Sequence, residues 1–225
     1  MNTYAKTAVV TGANSGIGLA LTQKLLAEGY QVIATARSGQ IDSLQNTNLT
    51  VIPLDITDAA SIEQTVAHIG QLAQRIDLLI NNAGIAPDVM SMAAPDRMLF
   101  RDTFATNVDG TIFFTEPMLA LLNDGAQVVF ISSTMGLPSH AGPNGTAYRL
   151  SKAAVNMYAA MLAQRVADRH IRVTPMHPGW VQTRMGGSAA PFTPEQAANG
   201  IFRGIRANLE SGRFWNAEND AVIAY

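Results

Sequence analysis

Short runs of apolar and β-branched residues alternate along this chain with longer runs whose apolar positions recur every three or four residues. Thr7 to Thr11 is the first short run and ends at Gly12; its length and bounds predict a buried strand. Residues 16 to 28 then place Ile17, Ala20, Leu21 and Leu25 on one helical face, with Gly29 as the stop. Further strands are predicted at Gln31 to Thr35, Leu49 to Leu54, Ile76 to Ile80, Gln127 to Ser132 and Ile171 to Met176, with a short one at Arg213 to Trp215. Further helices are predicted over 58 to 73, opened by Asp58, and over 97 to 122 and 147 to 169. A last helix runs from Pro194 to Glu210, with Thr193 as its cap.

Strands that are apolar on both faces and separated by helices describe a parallel sheet covered on both sides. Right-handed crossovers make this an α/β, doubly wound, Rossmann-type sheet of about seven strands, and residues 1 to 225 read as one domain. A ligand site in such a sheet lies at the carboxyl ends of the strands.

Composition narrows the class. The chain is 48% hydrophobic and 14% charged, and it has no run of 18 apolar residues, so no spanning helix is expected. Met1 to Lys6 passes directly toward the first strand without the pattern of a secretory signal. There is no cysteine, which excludes disulfides, thiolate metal sites and a Cys nucleophile, and fits a reducing, cytoplasmic setting. Lys and Arg total 15 against 17 Asp and Glu and are scattered, so no nucleic-acid partner is expected. No metal site is expected either.

Between the first strand and the first helix lies Thr11-Gly12-Ala13-Asn14-Ser15-Gly16-Ile17-Gly18. Glycines here permit a tight turn, a close backbone approach and tight helix packing, and the following helix offers free N–H groups to a pyrophosphate. The spacing T-G-x-x-x-G-x-G differs from the commoner dinucleotide loop, and three glycines after a strand also occur as plain turn chemistry.

At this point the sequence resembles the short-chain dehydrogenase/reductase family, in its compact single-domain branch. T-G-A-N-S-G-I-G is that family's cofactor loop, and Asn81-Asn82-Ala83-Gly84 its signature after the fourth strand. Asn107, Ser133, Tyr148 and Lys152 match its catalytic tetrad, and Pro178-Gly179 its turn after the sixth strand, with Thr183 at the usual offset. The tracts 148 to 157, 177 to 181 and 212 to 216 are similar to the C-factor-like reductases. The resemblance implies hydride transfer between a nicotinamide cofactor and a carbonyl or alcohol. It assigns the cofactor to Gly12, Asn14, Ser15, Gly16, Ile17 and Gly18, to Asn82, Ala83 and Gly84, to Tyr148 and Lys152, and to Pro178, Gly179, Val181 and Thr183. Asp55 and Ile56 would flank the adenine; their alternative is a turn before the Asp58 cap.

Tyr148 and Lys152 are four apart on a predicted helix and share a face. A phenol is a weak acid near neutrality, with an ordinary pKa of about 10, and a nearby ammonium together with a cationic nicotinamide favours its ionised form. Tyr148 can then pass a proton to or from a substrate oxygen. With 3 lysines and 5 tyrosines in the chain, a chance Y-x-x-x-K is expected about one time in fifteen. Ser133 ends the fifth strand, where its hydroxyl can stabilise charge on the reacting oxygen; its rival Ser132 reads as a structural hydroxyl, because the family pattern sets the active Ser just before x-x-G. A mid-helix Asn is unfavourable, and the resemblance implies that Asn107 disturbs its helix and holds a water that relays protons to Lys152.

The second strand ends Ala34-Thr35-Ala36-Arg37-Ser38. It has no carboxylate to bind a ribose 2′-OH, and Arg37 offers a fork for a 2′-phosphate, which points to NADP(H) over NAD(H). Met135, Leu137, Trp180 and Met185 are apolar candidates for the substrate wall, and the same four also fit plain packing. His140 and His177 read as loop histidines. Gly186-Gly187 lies in a short segment that predicts a small, mobile lid and a permissive site. The helices at 97 to 122 and 147 to 169 resemble those with which the family forms homodimers or homotetramers. A non-catalytic NADP(H)-binding sensor on the same fold is the alternative, and the intact tetrad argues against it.

Overall fold

A computed structural model of the chain describes residues 5–73 and 75–225; residues 1–4, part of the segment expected to carry no signal, lie outside them. The sheet is built from β1 (Thr7–Val10), β2 (Gln31–Ala36), β3 (Leu49–Pro53), β4 (Ile76–Asn81), β5 (Leu122–Ile131), β6 (Arg172–His177), β7 (Phe214–Asn216) and β8 (Ala221–Ile223). Their order across the sheet is β3-β2-β1-β4-β5-β6-β7-β8. Every neighbouring pair is parallel except β7 with β8. The chain reverses direction across the sheet between β1 and β4, which is the switch point where such sheets bind nucleotides. The eighth, antiparallel strand is an addition to the expected seven; at three residues with alternating exposure it carries little apolar pattern.

Helices cover both faces. α1 (Gly16–Ala27) and α6 (Pro194–Arg206) pack over Val10, Ala34, Leu78, Ile80 and Val129. On the other face, α2 (Ala59–Leu72), α4 (Thr111–Met118) and α5 (Thr146–Arg165) cover Val9, Leu79, Val128 and Phe130. Alternate residues of one strand thus feed two different cores, which is why the strands read as continuously apolar. Asp58 caps α2 by accepting from the Ala60 amide, and Thr193 with Gln196 forms a full capping box on α6.

The stretch expected as one helix over 97 to 122 is divided. α3 (Arg97–Phe104) passes into a π-helical turn over Ala105–Gly110, then α4, then a 3-10 turn at Leu119–Leu121. β5 begins at Leu122, five residues before its expected start, with an irregular register between Ile76 and Leu78 on β4. Leu121 and Leu122 continue the helical apolar period, which disguises the change. α5 ends at Arg165 and α6 at Arg206, where the backbone turns extended at Ala207. Among the described residues no helix is long and apolar enough to cross a membrane.

Candidate functional site

The glycine loop turns at Gly12, with φ of +64°, and a Cβ there would lie 2.9 Å from the Ala83 Cα. A Cβ on Gly18 would meet the Gly12 carbonyl at 2.3 Å. The loop is therefore pressed against the segment after β4, and that approach needs glycine. Thr11 locks the two together: its hydroxyl accepts the amides of Asn82 and Ala83 at 2.9 and 3.0 Å, while Asn82 Nδ2 donates to the Thr11 and Gly12 carbonyls.

The N-cap of α1, Ser15, makes no side-chain capping bond, whereas α2, α3 and α6 are each capped by their own N-cap side chain. The first-turn amides of α1 are thus left to an external acceptor. Thr183 stands over this loop, its methyl 3.0 Å from where a Gly16 Cβ would sit. Asn14, Ser15 and Arg37 are exposed beside it. Asp55 is an Asx turn: its Oδ1 accepts from the amide and hydroxyl of Thr57, and these bonds, with a smaller contribution from Arg37, hold its carboxyl below the usual range. Ile56 is buried, and its carbonyl abuts Gly110 of the π turn. A cradle of amides backed by a guanidinium and floored by glycine backbone fits a dinucleotide phosphate chain.

The four tetrad positions converge where β4, β5 and α5 meet. Tyr148, Lys152, Ser133 and Asn107 are all buried. The Ser133 hydroxyl lies close enough to the Tyr148 phenol to favour its ionised form, and its Oγ accepts the Met135 amide. Ser132 instead donates to Asn156 at 2.5 Å inside the core. Gly136 lets the loop lie on α5: a Cβ there would stand 2.6 Å from the Lys152 carbonyl carbon. Asn107 lies in the π turn, as a disturbed helix requires, and exchanges bonds with the backbone N–H and C=O of Ile85, each 2.8 Å. Its Nδ2 also donates to Ser151 at 3.0 Å.

Lys152 Nζ donates to the Ile131 carbonyl at 2.8 Å and lies 5.6 Å over the Tyr148 ring centroid. Burial lowers the ammonium to about 8. Burial likewise pushes the Tyr148 phenol up to about 12, with the nearby Ser133 hydroxyl pulling the other way. Lys152 together with a cationic nicotinamide is expected to favour the ionised phenol; in the protein without cofactor, desolvation of the hydroxyl outweighs the protein's own groups and keeps it protonated.

Of the apolar wall candidates, Trp180 and Met185 are about half exposed and Met135 is half-buried, but Leu137 is only 2% exposed and packs inward. Two 3-10 turns, Thr134–Gly136 and Pro138–His140, fold that side chain under the loop. The segment expected to be a mobile lid is closed on itself. Trp180 Nε1 donates to the Gly186 carbonyl, the Gln182 amide to the Phe192 carbonyl, the Phe192 amide to the Trp180 carbonyl, and the Gly186 amide to Thr183 Oγ1. His177 is no loop residue either; it ends β6, mostly buried, 3.6 Å from Glu218, with burial pushing its ring down to about 4.

Sequence reasoning passed over Thr11 and Asp88. Thr11 was visible in the glycine motif. Asp88 is buried and accepts the amides of Ala147 and Tyr148 from 59 and 60 residues away, and nothing in its local sequence signals that reach.

A model of the short chain dehydrogenase family matches residues 6–193. The 3-oxoacyl-[acyl-carrier-protein] reductase FabG of Escherichia coli strain K12 is 31% identical, covering 98% of this chain and 88% of its own. Two solved structures are similar throughout. NADPH-bound carbonyl reductase from chicken fatty liver has 30% identity and a TM-score of 0.87, over 98% of this chain and 94% of that one. Carbonyl reductase Sniffer of D. melanogaster has 27% identity and a TM-score of 0.90, over 99% and 100%.

Proposed function

This chain belongs to the short-chain dehydrogenase family, and from that premise we propose that it is an NADP(H)-dependent oxidoreductase that reduces a ketone or aldehyde to an alcohol. The observation that carries the reading is the buried Ser133–Tyr148 hydroxyl pair with Lys152 behind it, set beside an uncapped helix N-terminus and a glycine loop.

Bound NADPH supplies a hydride to the carbonyl carbon. The α1 amides and Gly12 to Gly18 would hold its phosphates, Arg37 its 2′-phosphate, and Asp55 with Ile56 its adenine. Asn82, Ala83, Gly84, Pro178, Gly179, Val181 and Thr183 would line the path to the nicotinamide. Ser133 and Tyr148 donate to the substrate oxygen and stabilise the charge that gathers there. As the C=O bond becomes single, its π electrons settle on oxygen, and the Tyr148 O–H gives that oxygen its proton. A phenol held near 12 is fully protonated at neutral pH, the form that reduction needs. The buried Lys152 ammonium faces the resulting phenolate and favours it.

The apolar exposure of Trp180 and Met185 supports a hydrophobic substrate. The large exposed side chains Phe113 on α4 and Met157 and Met161 on α5 support self-association through these helices. NADPH oxidation against a panel of aldehydes, ketones, quinones and 3-oxoacyl esters tests the reading.

A further inference from the structure

The residue after the candidate acid is an arginine with no carboxylate partner among the described residues. Arg149 instead spends its guanidinium on the loop that links Ser133 to α5. Nε donates to the Asn144 carbonyl at 2.7 Å and Nη2 to the Asn144 side-chain oxygen at 3.0 Å. Nη1 donates to the His140 carbonyl at 2.7 Å and, at 3.4 Å, to that of Met135. The loop is wrapped onto the group: a Cβ on Gly142 would lie 2.5 Å from Nη2. The same loop is tied on its far side, where Asn144 Nδ2 donates to the Val89 carbonyl and the Gly145 amide to that of Ser91.

A planar fork suits this task, since one rigid group reaches three carbonyls at positions 135, 140 and 144 at once. An ammonium at the same place is a point donor on a flexible stem and spans fewer of them. A half-buried guanidinium held by neutral acceptors, one helix position from Tyr148, orders its long side chain at an entropic cost and serves as a strap.

We propose that Arg149 is a positioning residue that sets the substrate wall by holding the 134–145 loop, and with it Met135, against the helix that carries Tyr148. The substrate half of this inference rests on the reductase reading. The strap does not. Without it, Met135 and the following turns are free to move into the space over Ser133 and Tyr148, and a large substrate loses more than a small one.

The test compares wild type with Arg149→Met and Arg149→Lys in two measurements. Amide hydrogen exchange needs no activity. The account expects amides of 135–145 to exchange at least tenfold faster in Arg149→Met, with Arg149→Lys between. Steady-state kinetics then use a short aliphatic aldehyde and a two-ring aromatic quinone as probes. KM for the quinone is expected to rise at least tenfold in Arg149→Met, with KM for the aldehyde and the NADPH Kd within about twofold and the effect partly reversed in Arg149→Lys. Unchanged exchange overturns the strap. Faster exchange with both KM values unmoved, or moved equally, overturns the role in specificity. A wild type that binds NADPH but turns over neither probe nor any other member of the carbonyl panel refutes the reductase reading, and the exchange result then still decides the strap.

Discussion

The carboxylate of Asp88 accepts the backbone N–H of Tyr148 at 3.2 Å and that of its neighbour Ala147 at 2.7 Å. The helix that carries the candidate proton donor is therefore capped from the loop after β4, not from its own N-cap, which is Gly145 in a left-handed conformation with φ of 69°. An anionic cap at a helix N-terminus is favoured by both the free amides and the dipole, and here it also fixes where α5 begins relative to the segment after β4. Asp88→Ala is expected to lower stability by about 1–2 kcal/mol and to reduce kcat more than it weakens NADPH binding. Asp88→Asn keeps an acceptor and is expected to recover part of both. Equal loss in Asn and Ala variants, confined to stability, would remove Asp88 from the site.

Lys152 gives a pH signature in the cofactor-free protein. Its folded pKa is about 8, below the ordinary value of 10.5, so between those values the unfolded chain binds more protons than the folded one. Stability from this group therefore rises with pH across roughly pH 8 to 10.5, as the cost of burying the ammonium is relieved. Relative to Lys152→Met, the wild type is expected to gain up to about 3 kcal/mol over that window. Tyr148 acts in the opposite sense but later, between about 10 and 12. Denaturant titrations at pH 7.5 and 9.5 check it, and a flat difference between the two proteins contradicts the burial of a charged Lys152.

Arg37 is exposed at the end of β2 and contributes to holding the Asp55 carboxyl down. Replacing it with Glu puts a carboxylate where a 2′-phosphate would sit. NADPH affinity is expected to fall by at least about tenfold, and NADH affinity to change by less than about threefold, since only one of the two carries that phosphate. Fluorescence titration with both nucleotides measures the ratio, and an unchanged ratio rejects the assignment.

Phe113 is 65% exposed and Met157 is 63% exposed. Light scattering is expected to return a dimer or larger, and Phe113→Lys with Met157→Lys to shift it toward monomer. A wild-type monomer sinks the self-association reading.

The fold was legible because alternate residues of each strand feed cores of equal apolarity, so Val9-Val10, Leu79-Ile80 and Val128-Val129 read as continuous runs. The glycine loop and the Tyr148–Lys152 pair were legible because their geometry is local: one turn, one helix face. What the sequence hid depends on distant partners. Asp88 meets Tyr148 only once β4 and α5 are side by side, and Arg149 looks like any exposed helical cation until its loop folds onto it. The disturbance of the 97–122 helix at Asn107, which only the family resemblance implied, goes with its bonds to Ile85, and the phenol's raised pKa follows from burial; neither is written in a residue's neighbours along the chain. Gly186-Gly187 reads in the sequence as a loose segment, and the bond from the Trp180 indole to the Gly186 carbonyl, six residues away, is not legible there.

The most direct test of the central claim is NADPH oxidation by wild type and Tyr148→Phe, followed by absorbance across a panel of carbonyl compounds. The account predicts turnover with at least one panel member, reduced at least about a hundredfold in the variant, with the NADPH Kd preserved. Tight NADPH binding with no turnover by wild type on any panel member, or a Tyr148→Phe variant as fast as wild type, would contradict it.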